Sequence, residues 1–442
     1  MIDYNKIIKE LKNLYLSDQR PWIIGFSGGK DSTCITQLIY YMIKNLPSDK
    51  RTKKIHVLSS DTLVESPFIQ DRIKKSCSKI EAQSRKDRLP IKVEILRPKL
   101  NDTFWVNLIG RGYPSPNRWF RWCTERLKIN PMTKYTVDQV KENGEVIILL
   151  GARKGESASR AQTLRKYAIK NFRLRRHLNI AGAFIYTPIE DWSFKDVWVY
   201  LLQAQSPWGD NNRDLLSLYR KCDSECPLVI DKSTPACGGS RFGCWVCTVV
   251  ERDRALEGLI ENGETWLNPL LEFRNWLKDI RNNAEFRESM RKSDQKKKRI
   301  ADYFNRDFSQ SEHLGHKILG PFTFEARHEI LRRLLKLQEM YQNRKLSLIS
   351  SEEVKAIETI WVYEGDNISS FLDVLNDNRK ALKNNDIKYR EILSEVCNKF
   401  EIPEKLIERL VLVEKDFSKL SRRTGIHSKI EKVLEEYIHS IQ

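Results

Sequence analysis

The sequence lacks any stretch that approaches the roughly 18 uninterrupted apolar residues needed to cross a bilayer as a helix. Its first residues lead into an amphipathic segment and not into the apolar core of a signal peptide. An internal repeat is absent too. We therefore expect a globular, cytoplasmic protein with no membrane partner.

Acidic residues are also few relative to basic ones. Across 442 residues, Lys and Arg number 77 against 59 for Asp and Glu, which gives a net charge of +18. This balance favours a polyanionic partner, with nucleic acid the leading candidate, although a basic and lysine-rich proteome would produce it too. The length allows two or three domains with a substantial core.

The first half of the chain alternates short apolar strands with helical patterns, as a parallel α/β sheet does. The predicted strands are 22–26, 55–58, 91–95, 146–150 and 184–186. Between about 205 and 250 the chain is rich in Gly, Pro and Cys, which indicates loops. From about 252 onward it is polar, charged and helical in pattern. A basic run at 291–299 suits a phosphate backbone, a solvated helix face or a linker.

A short string, SGGKDS at residues 27–32, follows the first strand and opens an amphipathic helix. Its two glycines let the backbone approach an anion closely. The amides at the helix start and the helix dipole favour that anion, and Lys30 adds a positive charge. Asp31 is suited to hold magnesium on the phosphates. The string is neither a Walker A loop nor a dinucleotide-binding fingerprint, but it predicts a phosphate-binding loop.

The SGGKDS string resembles the PP-loop of ATP pyrophosphatases, a superfamily that includes sulfonucleotide reductases and RNA-thiolating enzymes. Segments at 60–62, 122–128, 150–160 and 188–198 resemble the same enzymes. The resemblance implies an adenine-nucleotide alpha-hydrolase-like fold that binds ATP and Mg²⁺, with Asp31 and Asp61 as magnesium candidates. The nucleotide-binding residues that it implies are Ser27, Gly28, Gly29, Lys30, Asp31, Ser32, Thr33, Asp61, Gly151, Arg153 and Arg160.

Five of the nine cysteines fall within residues 222–247. In a cytosolic chain such a group indicates metal binding or catalysis more than disulfide bonds. Its last two members, Cys244 and Cys247, form a CxxC pair whose thiolates can share a metal or a cluster. Structural zinc uses similar four-cysteine sites, so the spacing by itself leaves zinc and iron–sulfur equally open.

The stretch from Cys226 to Thr248 closely resembles the DndC family, the iron–sulfur sulfurtransferases of bacterial DNA phosphorothioation. Together with the PP-loop, this resemblance covers roughly residues 20–255. It implies a [4Fe–4S] cluster in place of zinc. The implied ligands are Cys226, Cys237, Cys244 and Cys247, and the role of Cys222 stays open.

The same resemblance implies an ATP pyrophosphatase and sulfurtransferase that incorporates sulfur into the DNA backbone. ATP would adenylate a DNA phosphate with release of pyrophosphate, and a sulfur nucleophile would replace the activated oxygen. DNA, a cysteine desulfurase as sulfur donor and other subunits of the phosphorothioation complex are the expected partners. The expected domains are a PP-loop nucleotide-binding domain at 1–205, an iron–sulfur segment at 206–251 and a helical region at 252–442.

The residues expected to act in catalysis are Lys30, Asp31 and Cys123. Cys123 has the cations Arg121 and Lys128 nearby in sequence, and cations stabilise the thiolate that attacks or carries sulfur. A buried structural thiol and a cluster ligand are the alternatives. Sulfonucleotide reductases with clusters use a tandem cysteine pair as ligands here, whereas this chain has a single cysteine.

Three other functions fit parts of the sequence. A sulfonucleotide (PAPS/APS) reductase would carry a nucleophilic cysteine in a Glu-Cys-Gly-Leu/Ile-His tail, but residues 423–427 are Arg-Thr-Gly-Ile-His. A tRNA-thiolating enzyme suits the basic charge as well as a DNA enzyme does. A non-catalytic nucleotide-binding iron–sulfur scaffold is disfavoured by the intact Lys30 and Asp31.

Overall fold

A computed structural model describes most of the chain. The described residues are 4–156, 174–222, 243–303, 309–310, 312–313, 316–344, 346–364, 397, 402–403, 406, 410, 413 and 425–441. The chain forms two compact units, the first made of Met1–Asp102 and Pro116–Asn275 and the second of Thr103–Ser115 and Trp276–Gln442. The boundaries of the three domains predicted above stay predictions.

The first unit is built on a six-stranded sheet with the order β3-β2-β1-β4-β6-β5. Its strands are β1 Trp22–Gly25, β2 Ile55–Ser60, β3 Ile91–Leu96, β4 Val146–Leu149, β5 Leu174–Arg176 and β6 Ala183–Tyr186. All neighbouring pairs are parallel except β5 with β6. The five predicted strands and the α/β class are confirmed. Strand β5 was not predicted, because three residues at a sheet edge are too few to show an alternating pattern.

The helices of the first unit alternate with these strands along the chain. They are α1 Tyr4–Leu16, α2 Lys30–Lys44, α3 Pro67–Lys86, α4 Trp122–Thr124, α5 Asn130–Asn143, α6 Phe194–Gln203, α7 Asn212–Cys222, α8 Arg254–Glu261 and α9 Asn268–Ile280, whose last residues belong to the second unit. Between α4 and α5 the chain continues as a π-helix, Glu125–Ile129. Helices α1, α2, α3, α6 and α7 bury apolar residues in the larger core of the sheet, as their periodic apolar residues predict.

Neighbouring residues of β1 pack into different cores, because successive side chains of a strand point to opposite faces. Ile24 packs in the larger core with Ile35 and Leu38 of α2. Ile23 packs in a smaller core with Leu58 and Ile148. Burying each such side chain stabilises the fold by about 1.5–3 kcal/mol. Both faces of β1 are therefore fixed, and so is the start of the loop that follows it.

The strand order reverses beside β1, which has β2 on one side and β4 on the other. In open α/β sheets, the loops that follow the strands at such a reversal diverge and leave a crevice that binds ligands. The SGGKDS loop follows β1, and the segment 151–153 follows β4. The fold therefore brings two of the predicted phosphate-binding segments to one crevice.

The second unit is helical in its described part, as predicted for the C-terminal region, and has one short hairpin. Its elements are a π-helix Val106–Gly110, α10 Lys292–Tyr303, β7 Glu312–His313, β8 His316–Lys317, α11 Phe324–Met340, α12 Ser351–Glu364 and α13 Ile426–Ile441. Lys296, Lys297 and Lys298 of the basic run are exposed on α10. No helix in the described ranges combines the length and the apolar character needed to cross a membrane.

Candidate functional site

The SGGKDS loop is closed by hydrogen bonds among its own atoms. Ser32 Oγ donates to the carbonyl oxygen of Gly29 at 3.0 Å and accepts the amide of Ser27 at 3.2 Å. Gly28 has a φ of +69°, and a Cβ there would lie 2.8 Å from Cγ1 of Ile73. Backbone conformation and packing therefore both require glycine at this position.

Helix α2 begins at Lys30, directly after the loop. The amide of Thr33 donates to the carbonyl of Gly29 at 2.9 Å, and the amides before it have no acceptor within the helix. Together with the positive end of the helix dipole, these amides favour a bound anion. The Thr33 hydroxyl is buried and has no hydrogen-bond partner in the described structure. An unsatisfied buried hydroxyl at this place suits a polar ligand.

Asp31 forms ion pairs with two cations. Arg153 donates from Nε to Oδ1 of Asp31 at 2.6 Å, and Lys30 donates from Nζ to Oδ2 at 3.0 Å. Gly151 allows the two segments to touch, since a Cβ there would lie 2.8 Å from the backbone C and O of Asp31. The structure thus brings Lys30, Asp31, Gly151 and Arg153 together, whereas Arg160 lies outside the described residues. Their role in nucleotide binding stays a prediction.

Two aromatic residues flank Lys30. Its Nζ lies 5.2 Å from the ring centre of Phe194 and 5.4 Å from that of Tyr219. The Tyr219 hydroxyl also accepts the amide of Lys30 at 3.4 Å. Aromatic faces attract a cation, so these rings hold the lysine at the loop. Neither residue was predicted to belong to the site, because Tyr219 lies 189 positions from Lys30 and no local pattern links them.

Asp61 is 4% exposed and shapes the loop that follows β2. Its Oδ1 accepts the amide of Leu63 and Nε2 of Gln70, both at 3.1 Å, and its Oδ2 accepts Nε of Arg97 at 3.1 Å. Leu63 has a φ of +66°, a left-handed conformation that costs a non-glycine residue roughly 1–2 kcal/mol. The bond to Asp61 supports this conformation. A magnesium role for Asp61 stays a prediction.

The loop after β2 pairs with the CxxC segment. Glu65 and Cys244 form an antiparallel bridge, and the amide of Trp245 donates to the carbonyl of Val64 at 3.1 Å. The indole of Trp245 is 2% exposed. These contacts attach the CxxC segment beside the carboxyl end of β2, next to β1 and its SGGKDS loop.

Cys244 and Cys247 lie in a tight turn, in which the amide of Cys247 donates to the carbonyl of Cys244 at 3.0 Å. The Thr62 hydroxyl lies 3.4 Å from Sγ of Cys244. Burial raises the pKa of the Cys244 thiol to about 12, and the positive charge of Lys128 opposes that rise. Lys128 in turn forms an ion pair with Glu65 at 3.5 Å.

Cys123 lies close enough to Cys247 to interact with its charge. Burial raises the pKa of the Cys123 thiol, and the charge of Cys247 raises it further. The negative charge of Cys244 is the largest cause of the raised pKa of Lys128, and Cys123 contributes to it as well. We call Cys123, Cys244 and Cys247, together with Lys128, the thiol group. From the sequence, Cys123 was expected to act in catalysis, with a cluster ligand as one alternative.

Two predicted cluster ligands, Cys226 and Cys237, lie outside the described residues. Among the residues that are described, no three or more His, Cys, Asp or Glu side chains are arranged to hold a metal ion. The four-cysteine ligand set therefore stays a prediction.

Lys128 and Glu65 were not predicted as site residues. Lys128 ends the string at 122–128 that was singled out for its resemblance, and Glu65 lies three residues after the string at 60–62. Their pairing was missed because opposite charges 63 positions apart give no signal in a single sequence.

Residues 21–249, just over half of the chain, match the profile of the phosphoadenosine phosphosulfate reductase domain. The chain belongs to this family. Membership confirms the resemblance to the sulfonucleotide reductases of the PP-loop superfamily. Residues 388–438 match a second family, described as a small protein found in certain Dnd DNA modification systems. This match confirms the resemblance to Dnd proteins.

Similar proteins include an uncharacterized protein of Methanocaldococcus jannaschii, 27% identical over 266 residues. The match covers 60% of this chain and 44% of that protein, so the chain spans less than half the length of this relative. Among solved structures, phosphoadenylyl-sulfate reductase from Candida auris is 15% identical, with coverages of 48% and 89% and a TM-score of 0.29. The U34-tRNA thiolase NcsA from Methanococcus maripaludis, with its [4Fe-4S] cluster, is 13% identical, with coverages of 62% and 80% and a TM-score of 0.29.

Proposed function

We propose that the protein uses ATP to incorporate sulfur into the DNA backbone. The observation that carries this proposal is the presence of two groups at neighbouring strand ends. The SGGKDS loop follows β1, and the thiol group is attached to the loop that follows β2. The first suits a nucleotide phosphate, and the second supplies sulfur nucleophiles. The Dnd match at 388–438 supports DNA modification as the context.

ATP would bind with its β,γ-diphosphate against the SGGKDS loop. The first amides of α2 and the Lys30 ammonium would neutralise its charge. An oxygen of a DNA phosphate attacks the α-phosphorus, and the bond from that phosphorus to the bridging β-oxygen breaks. Pyrophosphate leaves, and the DNA phosphate is joined to AMP. This adenylation turns a poor leaving group, the phosphate oxygen, into a good one.

Sulfur would arrive as a persulfide on a cysteine of this chain, loaded by a cysteine desulfurase. The terminal sulfur attacks the activated DNA phosphorus, and AMP leaves with the former phosphate oxygen. A second thiol then attacks the sulfur–sulfur bond, which releases the phosphorothioate and leaves a disulfide. A cellular dithiol reduces that disulfide. We further propose that other subunits of a Dnd system present the DNA, and that the reaction takes place in the cytoplasm.

The donor chemistry of the thiol group fits an iron–sulfur cluster, because cysteine thiolates are the ligands of such clusters. Cys244 and Cys247 would bind a [4Fe–4S] cluster together with Cys226 and Cys237. Such a cluster, when bound, can hold sulfur or transfer electrons. Cys123 and Cys222 remain outside this ligand set. We assign the persulfide to Cys123, which lies close enough to Cys247 to interact with its charge.

Of the two magnesium candidates, Asp31 fits better. Each of its oxygens accepts one hydrogen bond, so lone pairs remain for an ion. Asp61 accepts three bonds, which leave less room for a cation. Asp31 would therefore hold Mg²⁺ on the ATP phosphates.

Mass spectrometry of host DNA with and without this protein tests the proposal directly. Phosphorothioate dinucleotides should be present with the wild type and absent with Lys30→Ala. Lys44→Ala is a matched control, because Lys44 ends the same helix in an exposed ion pair with Asp87. Equal phosphorothioate levels with Lys30→Ala would overturn the proposal, and thiolated tRNA nucleosides in its place would identify the tRNA alternative.

Membership of the reductase-domain family is also compatible with a different function, the reduction of sulfonucleotides. Those reductases carry a nucleophilic cysteine in their tail, and Thr424 occupies the corresponding position here. A threonine hydroxyl lacks the sulfur redox chemistry that this step needs, so reduction is not our proposal.

A further inference from the structure

An exposed aromatic pair lies directly before the thiol group in the chain. Trp119 is 72% exposed and Phe120 is 43% exposed. Arg118 and Arg121, on either side of the pair, are exposed too. Single exposed apolar residues are common, but two adjacent large aromatics between two arginines form a surface that suits a ligand. We call residues 118–121 the aromatic turn.

The aromatic turn has a defined conformation. Asn117 Oδ1 accepts the amides of Trp119 and Phe120, both at 2.8 Å. The Asn117 amide donates to the carbonyl of Phe120 at 3.3 Å. An asparagine that bonds the backbone two and three residues ahead fixes a turn. The two rings are therefore held at the surface by the backbone, which lowers the entropy cost of binding on them.

Both ends of the aromatic turn are tied to the thiol group. At its start, the hydroxyl of Thr248, the residue after Cys247, donates to the carbonyl of Pro116 at 2.7 Å. At its end, Arg121 leads into α4, which contains the buried Trp122 and then Cys123. A ligand held on the turn would therefore lie next to the thiols.

The chemistry of the turn indicates a nucleotide. The Arg118 guanidinium lies over the Trp119 ring, 4.7 Å from its centre, so a cation stacks on one face of the indole and the other face is left for a base. Proteins that bind single-stranded nucleic acid stack bases on such rings and place cations along the phosphates. The net charge of +18 suits the same polyanion.

We propose that the aromatic turn binds an unstacked nucleotide of DNA, with its base on Trp119 and its phosphates near Arg118 and Arg121. That the nucleotide belongs to DNA rests on the proposed function. It explains how a phosphate of a stacked duplex would be presented to the site, because a base drawn out of the stack moves its flanking phosphates with it.

Equilibrium binding of a fluorescein-labelled oligonucleotide of about 16 residues tests this, without ATP or a sulfur donor. We expect Trp119→Ala to bind single-stranded DNA about 5- to 150-fold more weakly than the wild type. Trp119→Phe should recover part of the affinity, because it keeps a ring. Arg118→Gln should reduce the salt dependence of binding by about one charge. Tyr363→Ala is the matched control, since Tyr363 is an 86% exposed aromatic in the second unit.

Unchanged affinity of Trp119→Ala would overturn the proposal, as would a wild type that binds no DNA or prefers RNA of the same sequence. A variant that binds DNA normally but loses a protein partner would overturn it in favour of a protein-docking surface. The readout involves no sulfur transfer. Loss of DNA affinity by Trp119→Ala therefore supports the aromatic turn even if no phosphorothioate is found, in which case only the proposed function fails.

Discussion

Arg153 donates from Nε to Oδ1 of Asp31 at 2.6 Å, although the two residues are 122 positions apart in the chain. Only 5% of the Arg153 side chain and 16% of the Asp31 side chain are exposed. The pair joins the segment after β4 to the SGGKDS loop across the crevice. Removal of Asp31 would leave the charge of Arg153 buried without this counter-charge.

Asp31→Ala is expected to abolish pyrophosphate release and to lower the free energy of unfolding by about 3–5 kcal/mol, because Arg153 stays buried and unpaired. Lys30→Ala should also abolish pyrophosphate release, but it should lower the free energy of unfolding by less, since the ion pair between Asp31 and Arg153 remains. Urea unfolding and a pyrophosphate assay measure the two effects. The double variant Asp31→Ala/Arg153→Met should regain stability without activity. Equal stabilities of Asp31→Ala and Lys30→Ala would contradict this account.

Gly151→Ala is expected to reduce pyrophosphate release strongly. Its Cβ would lie 2.8 Å from the backbone of Asp31, so the methyl group must push the SGGKDS loop out of position. Gly155→Ala is a matched control in the same segment, because a Cβ there meets nothing within 4 Å. We expect the control to keep wild-type kinetics. If both variants retained activity, the crevice between the two segments would not be the nucleotide site.

Anaerobically prepared protein is expected to contain about four iron and four sulfide per chain. Cys244→Ser and Cys247→Ser should lose the iron, since serine is a poor ligand for it. Cys77→Ala is a control for the loss of a thiol, because Cys77 is buried in α3 as part of the larger core. Iron and sulfide assays measure the outcome. Stoichiometric zinc in protein made with ample iron would refute the cluster.

Cys123→Ser is expected to keep its iron and to lose sulfur transfer, because the thiol that carries the persulfide is removed. Iron content and phosphorothioate formation, measured on one preparation, separate the possible roles. Loss of iron would make Cys123 a ligand, and full sulfur transfer would make it a structural thiol.

Glu190 contributes a pH-dependent part of the stability. Its Oε2 accepts Nη2 of Arg175 at 2.8 Å and the hydroxyl of Thr187 at 2.7 Å. Burial alone would raise the pKa of Glu190, but the hydrogen bonds from Thr187 and Arg175 outweigh burial and hold the pKa below its usual value of 4.5. The unfolded state therefore binds the proton more readily. This contribution is complete above pH 4.5 and is lost as the pH falls through the lowered pKa.

We therefore expect the free energy of unfolding of the wild type to fall more steeply with acidification than that of Glu190→Gln. Urea titrations at a series of pH values from about 6 to 3 measure the difference. Parallel profiles for the two proteins would show that the pKa of Glu190 is the same in the folded and unfolded states.

The elements that could be predicted carry local signals. β1 and the SGGKDS loop were predictable because an apolar run, a glycine pair and an amphipathic helix follow one another within 25 residues, 22–46. The capping box of α6, in which Ser193 accepts the amide of Asp196, is local too and marked the start of that helix.

The features that could not be predicted depend on contacts between distant parts of the chain. The bridge between Glu65 and Cys244, and the rings of Phe194 and Tyr219 around Lys30, form only when the sheet brings separate loops together. A single sequence contains the residues of these contacts but no signal that pairs them. The assignment of residues 103–115 to the second unit was missed for the same reason.

The packing of residues 103–115 in the second unit has a consequence for biosynthesis. Trp105 donates to the carbonyl of Leu348 at 2.6 Å, across 243 positions, and Trp361 donates to the carbonyl of Ile109 at 3.0 Å. During translation, the apolar segment 103–115 therefore leaves the ribosome long before the residues that pack on it have been synthesised. Contacts between residues so far apart in sequence also form slowly. Until then, the nascent chain exposes this apolar segment to solvent. We therefore expect a polypeptide truncated after residue 275 to aggregate and not to fold as an isolated nucleotide-binding unit.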